Sequence, residues 1–329
     1  MNSPIIIFGS ARSGTSLLSR IVGSHPNIGV PFESHLYNRF YPWLKYYGDL
    51  EKEKNRNRLI QDLLDTDVMT LWDIKPEFND IVSHLKVNTF HGVVDALMTA
   101  WLEKCGKKRW GEKTPWHMFY WREIMEGFPE AKFIFIVRDG RDASMSWLKA
   151  RFGPKHIYPA ALRWKRFHDE YEGFKQAVNP DNLYELKYED LLDRPEQIAK
   201  EICAFIGEEY SDEMLAFHKS TTSYKTDKGN DKNLTRPLMK SNKEKWKKAL
   251  TQDEKRIFEA VASEELARYG YQRVVDNASM STMEKLYIKR LLHPVRRMVS
   301  MAKNFQGYRD AIVQLLIYLR LRLFALFNS

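Results

Sequence analysis

The chain has 329 residues, of which 43% are hydrophobic and 13% aromatic, which is typical of a globular protein with one large or two small domains. Its formal net charge of +9 does not indicate a nucleic-acid-binding body, because residues 280–329 carry nine Lys or Arg against two acidic residues. Cys105 and Cys203 are too few for a disulfide framework and favour a reducing compartment. Since neither a signal peptide nor an uninterrupted membrane-spanning run is visible, we expect a cytoplasmic protein.

Short apolar runs alternate with longer helical stretches along the first two thirds of the chain. The runs that predict buried strands are Ile5–Phe8, Ile28–Pro31, Arg109–Gly111, Lys132–Val137 and Asn182–Leu186. This alternation predicts an α/β fold in three layers, with a central parallel sheet flanked by helices. Residues 37–108 are predicted to form a helical insertion that shapes an acceptor cleft, and residues 220–248 a surface loop.

The stretch IIIFGSARSGTSLL, residues 5–18, predicts a strand, a glycine-bracketed loop and a helix. Its spacing is that of the phosphate-binding loop of nucleotide triphosphatases, so the fold is expected to be P-loop-like. The usual lysine is missing, because Thr15 holds its position and Arg12 lies inside the loop. Backbone amides and the helix N-terminus favour a bound anion. The candidate ligand-binding residues here are Arg12, Ser13, Gly14, Thr15 and Ser16.

A second candidate element follows the strand KFIFIV. Arg138 stands at the carboxyl end of this strand, and Ser146 follows eight residues later on the next predicted helix. Ligands of open α/β sheets bind at the carboxyl ends of strands. We therefore predict that Arg138 and Ser146 bind a second phosphate, separate from the one held by the first loop.

Together these motifs resemble the sulfotransferases that use 3′-phosphoadenosine 5′-phosphosulfate (PAPS) as donor and release 3′-phosphoadenosine 5′-phosphate (PAP). The resemblance runs from Pro4 to Tyr271 and is closest to the tyrosylprotein and carbohydrate types. It implies a sulfotransferase domain at 1–275, a first loop that holds the 5′-phosphosulfate, and Arg138 with Ser146 on the 3′-phosphate. It also implies that residues 188–207, beginning with Tyr188, lie on the adenine side, and that residues 240–250, beginning with Lys240 and Ser241, form a loop closing over the donor.

The same resemblance supplies the candidate catalytic residues. SHPNIGVPFESH places Glu33 where the tyrosylprotein type has a glutamate base, and WGEKTPW places Lys113 at the matching lysine. Glu33, with a pKa raised by burial, would accept the proton of a hydroxyl or amine acceptor, while Arg12 and Lys113 would neutralise developing charge. The histidine of cytosolic sulfotransferases is replaced by Pro115, which leaves His117 as a minor alternative. No required metal is implied.

No motif in the sequence identifies the acceptor, which could be a glycan, a lipid, a peptide or a small molecule. Two other classes of protein share some of these sequence features. A P-loop kinase-like enzyme shares the strand, loop and helix but needs the missing lysine. A membrane-associated scaffold without enzymatic activity would explain the basic tail but not the pairing of Arg138 with Ser146.

Residues 276–329 are predicted to form a basic, amphipathic helical tail. At 100° per residue, one stripe collects Ile312, Leu315, Leu316, Leu319, Leu323 and Leu326. Asp310, Gln314 and Arg322 lie on the other side. Because the arginines argue against spanning a bilayer, the stripe is expected to lie on an anionic membrane surface, on the catalytic domain, or on a second copy in a homodimer. In the first case the protein would be peripheral on the inner membrane face.

Overall fold

The computed structural model describes residues 3–150, 153–219, 234–302 and 306–326. Within them, five parallel strands form one sheet in the order β2-β3-β1-β4-β5. The strands are β1 (Ile5–Gly9), β2 (Ile28–Gly29), β3 (Arg109–Glu112), β4 (Lys132–Val137) and β5 (Leu183–Lys187). All five predicted strands are confirmed, with ends that shift by at most two residues.

Helices cover both faces of the sheet, which confirms the predicted three-layer class. They are α1 (Thr15–Gly23), α2 (Leu36–Phe40), α3 (Glu53–Leu64), α4 (Phe78–His84), α5 (Phe90–Lys104), α6 (Trp121–Gly127), α7 (Gly140–Lys149), α8 (Ile157–Ala177), α9 (Tyr188–Asp193), α10 (Pro195–Ile206), α11 (Trp246–Ala249), α12 (Gln252–Arg268), α13 (Thr282–Tyr287), α14 (His293–Ala302) and α15 (Gln306–Leu326). Along β1, Ile5 and Ile7 enter a core with α1 and α10, while Ile6 and Phe8 enter a second core with α5 and α8. Because side chains alternate along a strand, these two cores lie on opposite faces.

The region between β2 and β3 is helical and contains α2 to α5. It packs closely on the sheet, since a Cβ added at Gly29 would lie 2.8 Å from the Trp101 ring. Of the predicted surface loop at 220–248, residues 220–233 lie outside the described residues. The remainder includes the short helix α11, whose Trp246 is buried.

The tail consists of helices, as predicted, and α15 packs on the insertion between β2 and β3. Ile317 and Leu321 are buried, and the Tyr318 hydroxyl donates to the Arg39 carbonyl oxygen at 2.8 Å. Arg320 forms ion pairs with Asp62 and Asp65 of the α3 region. Within the described ranges, none of the helices combines the length and apolar character needed to cross a membrane.

Candidate active site

The loop between β1 and α1 is held in a tight turn by its glycines and by one hydrogen bond. The Ser13 amide donates to the Ser10 carbonyl oxygen at 3.0 Å. Gly14 has φ +92°, a conformation that side chains disfavour, and a Cβ there would lie 2.3 Å from the Tyr188 ring. Arg12 also has a positive φ, of 69°. The turn therefore brings Tyr188 against the loop and directs the chain into the N-terminus of α1, where an anion is favoured.

The second predicted element meets this loop. Ser146 of α7 accepts a hydrogen bond from Arg12 Nε at 2.8 Å, although the two residues are 134 positions apart. Arg138 Nη1 donates to the Arg12 carbonyl oxygen at 3.2 Å, and its guanidinium lies 4.4 Å from the centre of the Tyr188 ring. Arg12, Arg138 and Ser146 thus form one cationic cluster.

A cavity of about 280 Å³ opens at this cluster. Its walls include seven predicted residues: Arg12, Gly14, Thr15, Ser16, Arg138, Ser146 and Tyr188. The sequence missed other lining residues, namely Leu17, Asp142, Met145, Lys149, Leu192, Leu234, Pro237, Leu238, Met239, Asn242 and Lys245. Lys149 could have been found, because it lies three residues after Ser146 and so shares its side of a helix.

The predicted donor-closing segment reaches this cavity, but through different residues. Lys240 and Ser241 are exposed and do not line the cavity. Instead, Arg138 Nη2 donates to the backbone carbonyl oxygen of Asn242 at 2.8 Å. The side-chain Nδ2 of Asn242 donates to the Tyr188 hydroxyl at 2.7 Å. Within this segment it is Asn242 and Lys245 that line the cavity, and the donor-binding role of Lys240 and Ser241 stays a prediction. The local turn determines which side chains of this segment line the cavity. Hydrophobic periodicity does not reveal such a turn, so the sequence could not identify these residues.

In the residues that the structure describes, unpartnered buried polar atoms occur on Arg138, in the wall of the cavity, and on Ser10 and Ser13 of the loop, which do not line it. Ser10 Oγ, Ser13 Oγ and Arg138 Nε are buried and lack hydrogen-bond partners among the described residues. Burying such groups without partners is costly. Asp142 also borders the cavity, where burial raises its pKa; it accepts from the Trp246 amide at 2.8 Å and lies 3.7 Å from Arg138. This carboxyl thus orients the arginine at the cavity wall.

Glu33 and Lys113 meet beside Ser16, in the first turn of α1, and neither lines the cavity. Lys113 is 2% exposed; its Nζ contacts Glu33 Oε1 in a short ion pair and donates to Ser16 Oγ at 3.2 Å. Glu33 keeps 23% exposure, and His35 Nε2 lies 3.4 Å from its second oxygen. The sequence reasoning missed His35, although its place two residues after Glu33 was a usable signal. Lys113 thus contacts both the candidate base, Glu33, and Ser16, which borders the cavity.

The predicted direction of the Glu33 pKa is wrong. Burial does raise the pKa of this carboxyl, but the charge of Lys113 and the hydrogen bond from His35 outweigh burial. The resulting pKa is well below the ordinary range. The carboxylate is therefore ionised, and its basicity depends on the position of Lys113.

Glu112 and His117 form a separate, buried network. Glu112 accepts from Ser34 Oγ at 2.8 Å, Thr114 Oγ1 at 2.6 Å and His117 Nδ1 at 2.9 Å. Burial raises the pKa of Glu112, but these partners lower it to about 2. His117 is 1% exposed, and its Nε2 accepts from the Tyr37 amide at 3.3 Å. Both ring nitrogens of His117 are thus occupied in holding the segment around Glu33.

A second cavity of about 280 Å³ contacts the loop from its other end, at Ser10 and Ala11. The remaining walls are Pro115, Trp116, Phe119, Trp147, Leu162, Arg163, Arg166 and Phe167. Arg163 lies over Trp116 at 5.2 Å and Arg166 over Phe119 at 4.9 Å. In the described part of the chain, neither guanidinium forms an ion pair with a carboxylate. The cavity is thus aromatic and cationic, and no residue of 37–108 lines it.

A parallel sheet, a phosphate-cradling loop and a cationic cluster at the strand ends define a P-loop-like nucleotide-binding class. Within that class, the model described as "Sulfotransferase family" matches residues 4–212. The chain belongs to the sulfotransferase family, which confirms the prediction from the motifs. Among the described residues, no group of three or more His, Cys, Asp or Glu could hold a metal ion.

Individual relatives are distant. An uncharacterized protein of Aquifex aeolicus is 27% identical over 74% of this chain and 30% of its own length. A protein-tyrosine sulfotransferase of Drosophila melanogaster is 23% identical over 64% of this chain and 39% of its own. The chain therefore spans well under half of these two relatives. The solved sulfotransferase domain from the curacin biosynthetic pathway shares the fold, with a TM-score of 0.55, 17% identity, and coverage of 83% of this chain and 99% of that domain.

Proposed function

We propose that the protein transfers a sulfuryl group from PAPS to a hydroxyl acceptor, with Glu33 as general base. One observation carries the proposal: Lys113 links Ser16, in the wall of the cationic cavity, to Glu33. A reaction between two bound partners needs a donor site and a proton acceptor next to each other. Lys113 lies between the two.

The donor would occupy the cavity at Arg12, Arg138 and Ser146. Its 3′-phosphate would be bound by the two guanidinium groups, and the phosphosulfate end by the loop from Ser13 to Ser16. Arginine binds phosphate through paired donors, and Arg138 Nε still lacks a partner among the described residues. The contact of Arg12 with Ser146 supports a donor-binding role for Arg12. Its predicted role at the transferring group stays a prediction.

Glu33 would accept the proton of the acceptor hydroxyl as the hydroxyl oxygen bonds to sulfur. The bound donor supplies the sulfuryl group, and its sulfur–oxygen bond to phosphate breaks with the electron pair going to phosphate. Lys113 would neutralise the charge on that leaving oxygen. A donor that draws Lys113 away from Glu33 would remove the main charge that lowers the Glu33 pKa, so the base would strengthen when the donor binds.

The contacts of His117 support Glu33 over the histidine alternative. His117 is buried, with Glu112 on one ring nitrogen and the Tyr37 amide on the other. A general base must reach the proton that it accepts. Glu33 is the partly exposed group, whereas His117 and Glu112 hold the segment that carries it.

The second cavity is the candidate acceptor site. Trp116, Phe119 and Trp147 provide flat apolar walls, and Arg163 and Arg166 provide positive charge. The best fit is a hydroxyl on an aromatic or apolar body that also bears an anionic group. A tyrosine in an acidic peptide meets this description, in keeping with the name of the Drosophila relative. Glycans and lipids stay open as acceptors.

Calorimetry with PAP and with ATP, followed by rate measurements with labelled PAPS, tests the proposal. We expect tight binding of PAP, weak binding of ATP, and label transfer to phenolic acceptors with acidic groups. Arg138→Gln should weaken PAP binding, while Lys200→Gln, an exposed control on α10, should not. Equal binding of ATP and PAP without label transfer would favour the kinase-like alternative.

A further inference from the structure

The tail leaves two apolar stripes in solvent. On α15 the exposed side chains are Ile312, Leu315, Leu316, Leu319, Leu323 and Leu326, each 49–73% exposed. These are the residues of the stripe that the sequence predicts. Along α13 and α14, exposed side chains include Met283, Leu286, Leu291, Val295 and Met298. Large apolar residues concentrated in this way indicate a surface that binds something.

The body of the protein does not cover the α15 stripe, because the opposite side of α15 already contacts the body. Ile317 and Leu321 are buried there, and Tyr318 stacks on Trp43 with ring centres 4.2 Å apart. Arg322 also lies over Trp43, at 5.5 Å from the ring centre. The docked side of α15 is therefore a narrow, partly polar one, and the wide leucine stripe faces outward.

Positive charge accompanies the apolar stripe on α13 and α14. The exposed cations of this segment are Lys285, Lys289, Arg290, Arg296 and Arg297. In the ranges that the structure covers, none of the five forms an ion pair with a carboxylate. The single acid between 281 and 300 is Glu284, and it binds Arg256 at 2.6 Å. The segment thus combines apolar side chains with uncompensated cations.

We infer that α13, α14 and α15 dock the protein on the surface of an anionic lipid bilayer. The apolar stripes would enter the boundary between headgroups and acyl chains, and the five cations would attract anionic headgroups. A second copy of the chain fits less well. A two-fold interface brings the same patch of both copies together, so it would oppose like charges. Docking on a bilayer would hold whether or not the protein transfers a sulfuryl group.

The α15 helix of the docking face contacts the segment that follows the candidate base. The Tyr318 hydroxyl donates to the carbonyl oxygen of Arg39, which lies in α2, the helix that begins three residues after Glu33. Docking would therefore bring this side of the candidate active site toward the headgroups.

Co-sedimentation with vesicles tests the inference on the full chain. We expect binding to phosphatidylcholine vesicles that contain phosphatidylserine, and much weaker binding to phosphatidylcholine alone. The triple variant Leu315→Ser, Leu319→Ser, Leu323→Ser should lose binding. The triple variant Lys289→Gln, Arg290→Gln, Arg296→Gln should bind anionic vesicles about a hundredfold more weakly, since each cation near such a surface is worth about fivefold.

Matched controls are Val87→Ser, which removes an exposed apolar residue outside the tail, and Lys200→Gln, which removes a cation on α10. Both should bind vesicles like the unmodified protein, and melting temperatures check that every variant folds. Rising salt should release the unmodified protein from anionic vesicles, a test that needs no variant. The inference is overturned if the unmodified protein ignores anionic vesicles. It is also overturned if the leucine variant turns a dimer into a monomer with vesicle binding unchanged.

Discussion

Replacing Glu33 with Gln isolates the proton-accepting role of this side chain, because the amide keeps the size of the carboxylate. If Glu33 is the general base, the turnover number should fall by about 10² to 10⁴, or about 3–5 kcal/mol in activation free energy. Affinity for PAP should stay within a few fold, because Glu33 does not line the donor cavity. Rates with labelled PAPS and calorimetry with PAP measure the two quantities.

The neighbouring network supplies the matched control. His117→Gln removes the other proposed base, while Glu112 keeps its contacts with Ser34 and Thr114. Loss of a buried hydrogen bond should lower the unfolding free energy by about 1–3 kcal/mol, with a smaller effect on rate. A His117 variant that is folded but inactive, beside an active Glu33 variant, would refute the assignment of the base.

The pH profile gives an independent test of the same base. The pKa of Glu33 is held well below the ordinary range, so the carboxylate stays ionised as pH falls through the usual range of Glu. Because kcat/KM for PAPS reports the groups of the free enzyme, it should lack an acid limb there while the protein stays folded. In Lys113→Gln, burial is opposed only by His35, so the Glu33 pKa rises and an acid limb should appear at higher pH. An identical limb in both proteins would contradict the role of Lys113.

Three further predictions follow from single contacts. Arg138→Gln removes a charged donor from the cavity wall, so its Kd for PAP should rise about 10- to 100-fold in calorimetry, while an unchanged Kd would remove Arg138 from the site. Gly14→Ala places a Cβ 2.3 Å from the Tyr188 ring at φ +92°, so both melting temperature and PAP affinity should drop; a normal variant would contradict this packing. Arg163→Gln should raise KM for anionic phenols but not for neutral ones, and equal changes would argue against an anion subsite.

The sheet could be predicted from the sequence because its signal is local. A strand covered on both faces needs a continuous apolar run, and β1 and β4 show such runs. The nearness of the first loop to the Arg138 element could also be predicted, since parallel strands end at one edge of the sheet, whereas the direct contact of Arg12 with Ser146 could not. In contrast, the segment beyond Leu234 has no periodicity. The residues of this segment that line the cavity, Asn242 and Lys245, therefore had to be identified from the turn itself.

Two other properties could not be predicted from the sequence, for a different reason. They are the direction of the Glu33 pKa shift and the side of α15 that faces the body. Each depends on a partner distant in sequence. Burial alone would raise the pKa of Glu33, and Lys113, which follows β3, reverses its direction together with the nearby His35. Likewise, the widest apolar stripe of a helix usually faces the core, yet on α15 the contacts with Trp43 and Asp62 orient the narrower side inward.

The lysine missing from the first loop is replaced by one from another strand, and the direction from which it arrives has a chemical consequence. In a nucleotide triphosphatase loop, the lysine begins the helix and reaches toward the terminal phosphates of its ligand. Here Thr15 begins α1, and Lys113 follows β3, next to β1 in the sheet. From there its Nζ touches Ser16 of α1 and Glu33 at once. A lysine fixed in the loop could stabilise charge only on the donor, whereas in the proposed mechanism Lys113 would exchange its carboxylate partner for the leaving oxygen. The base would thereby gain strength only when a donor is bound, which disfavours deprotonation of the acceptor without transfer.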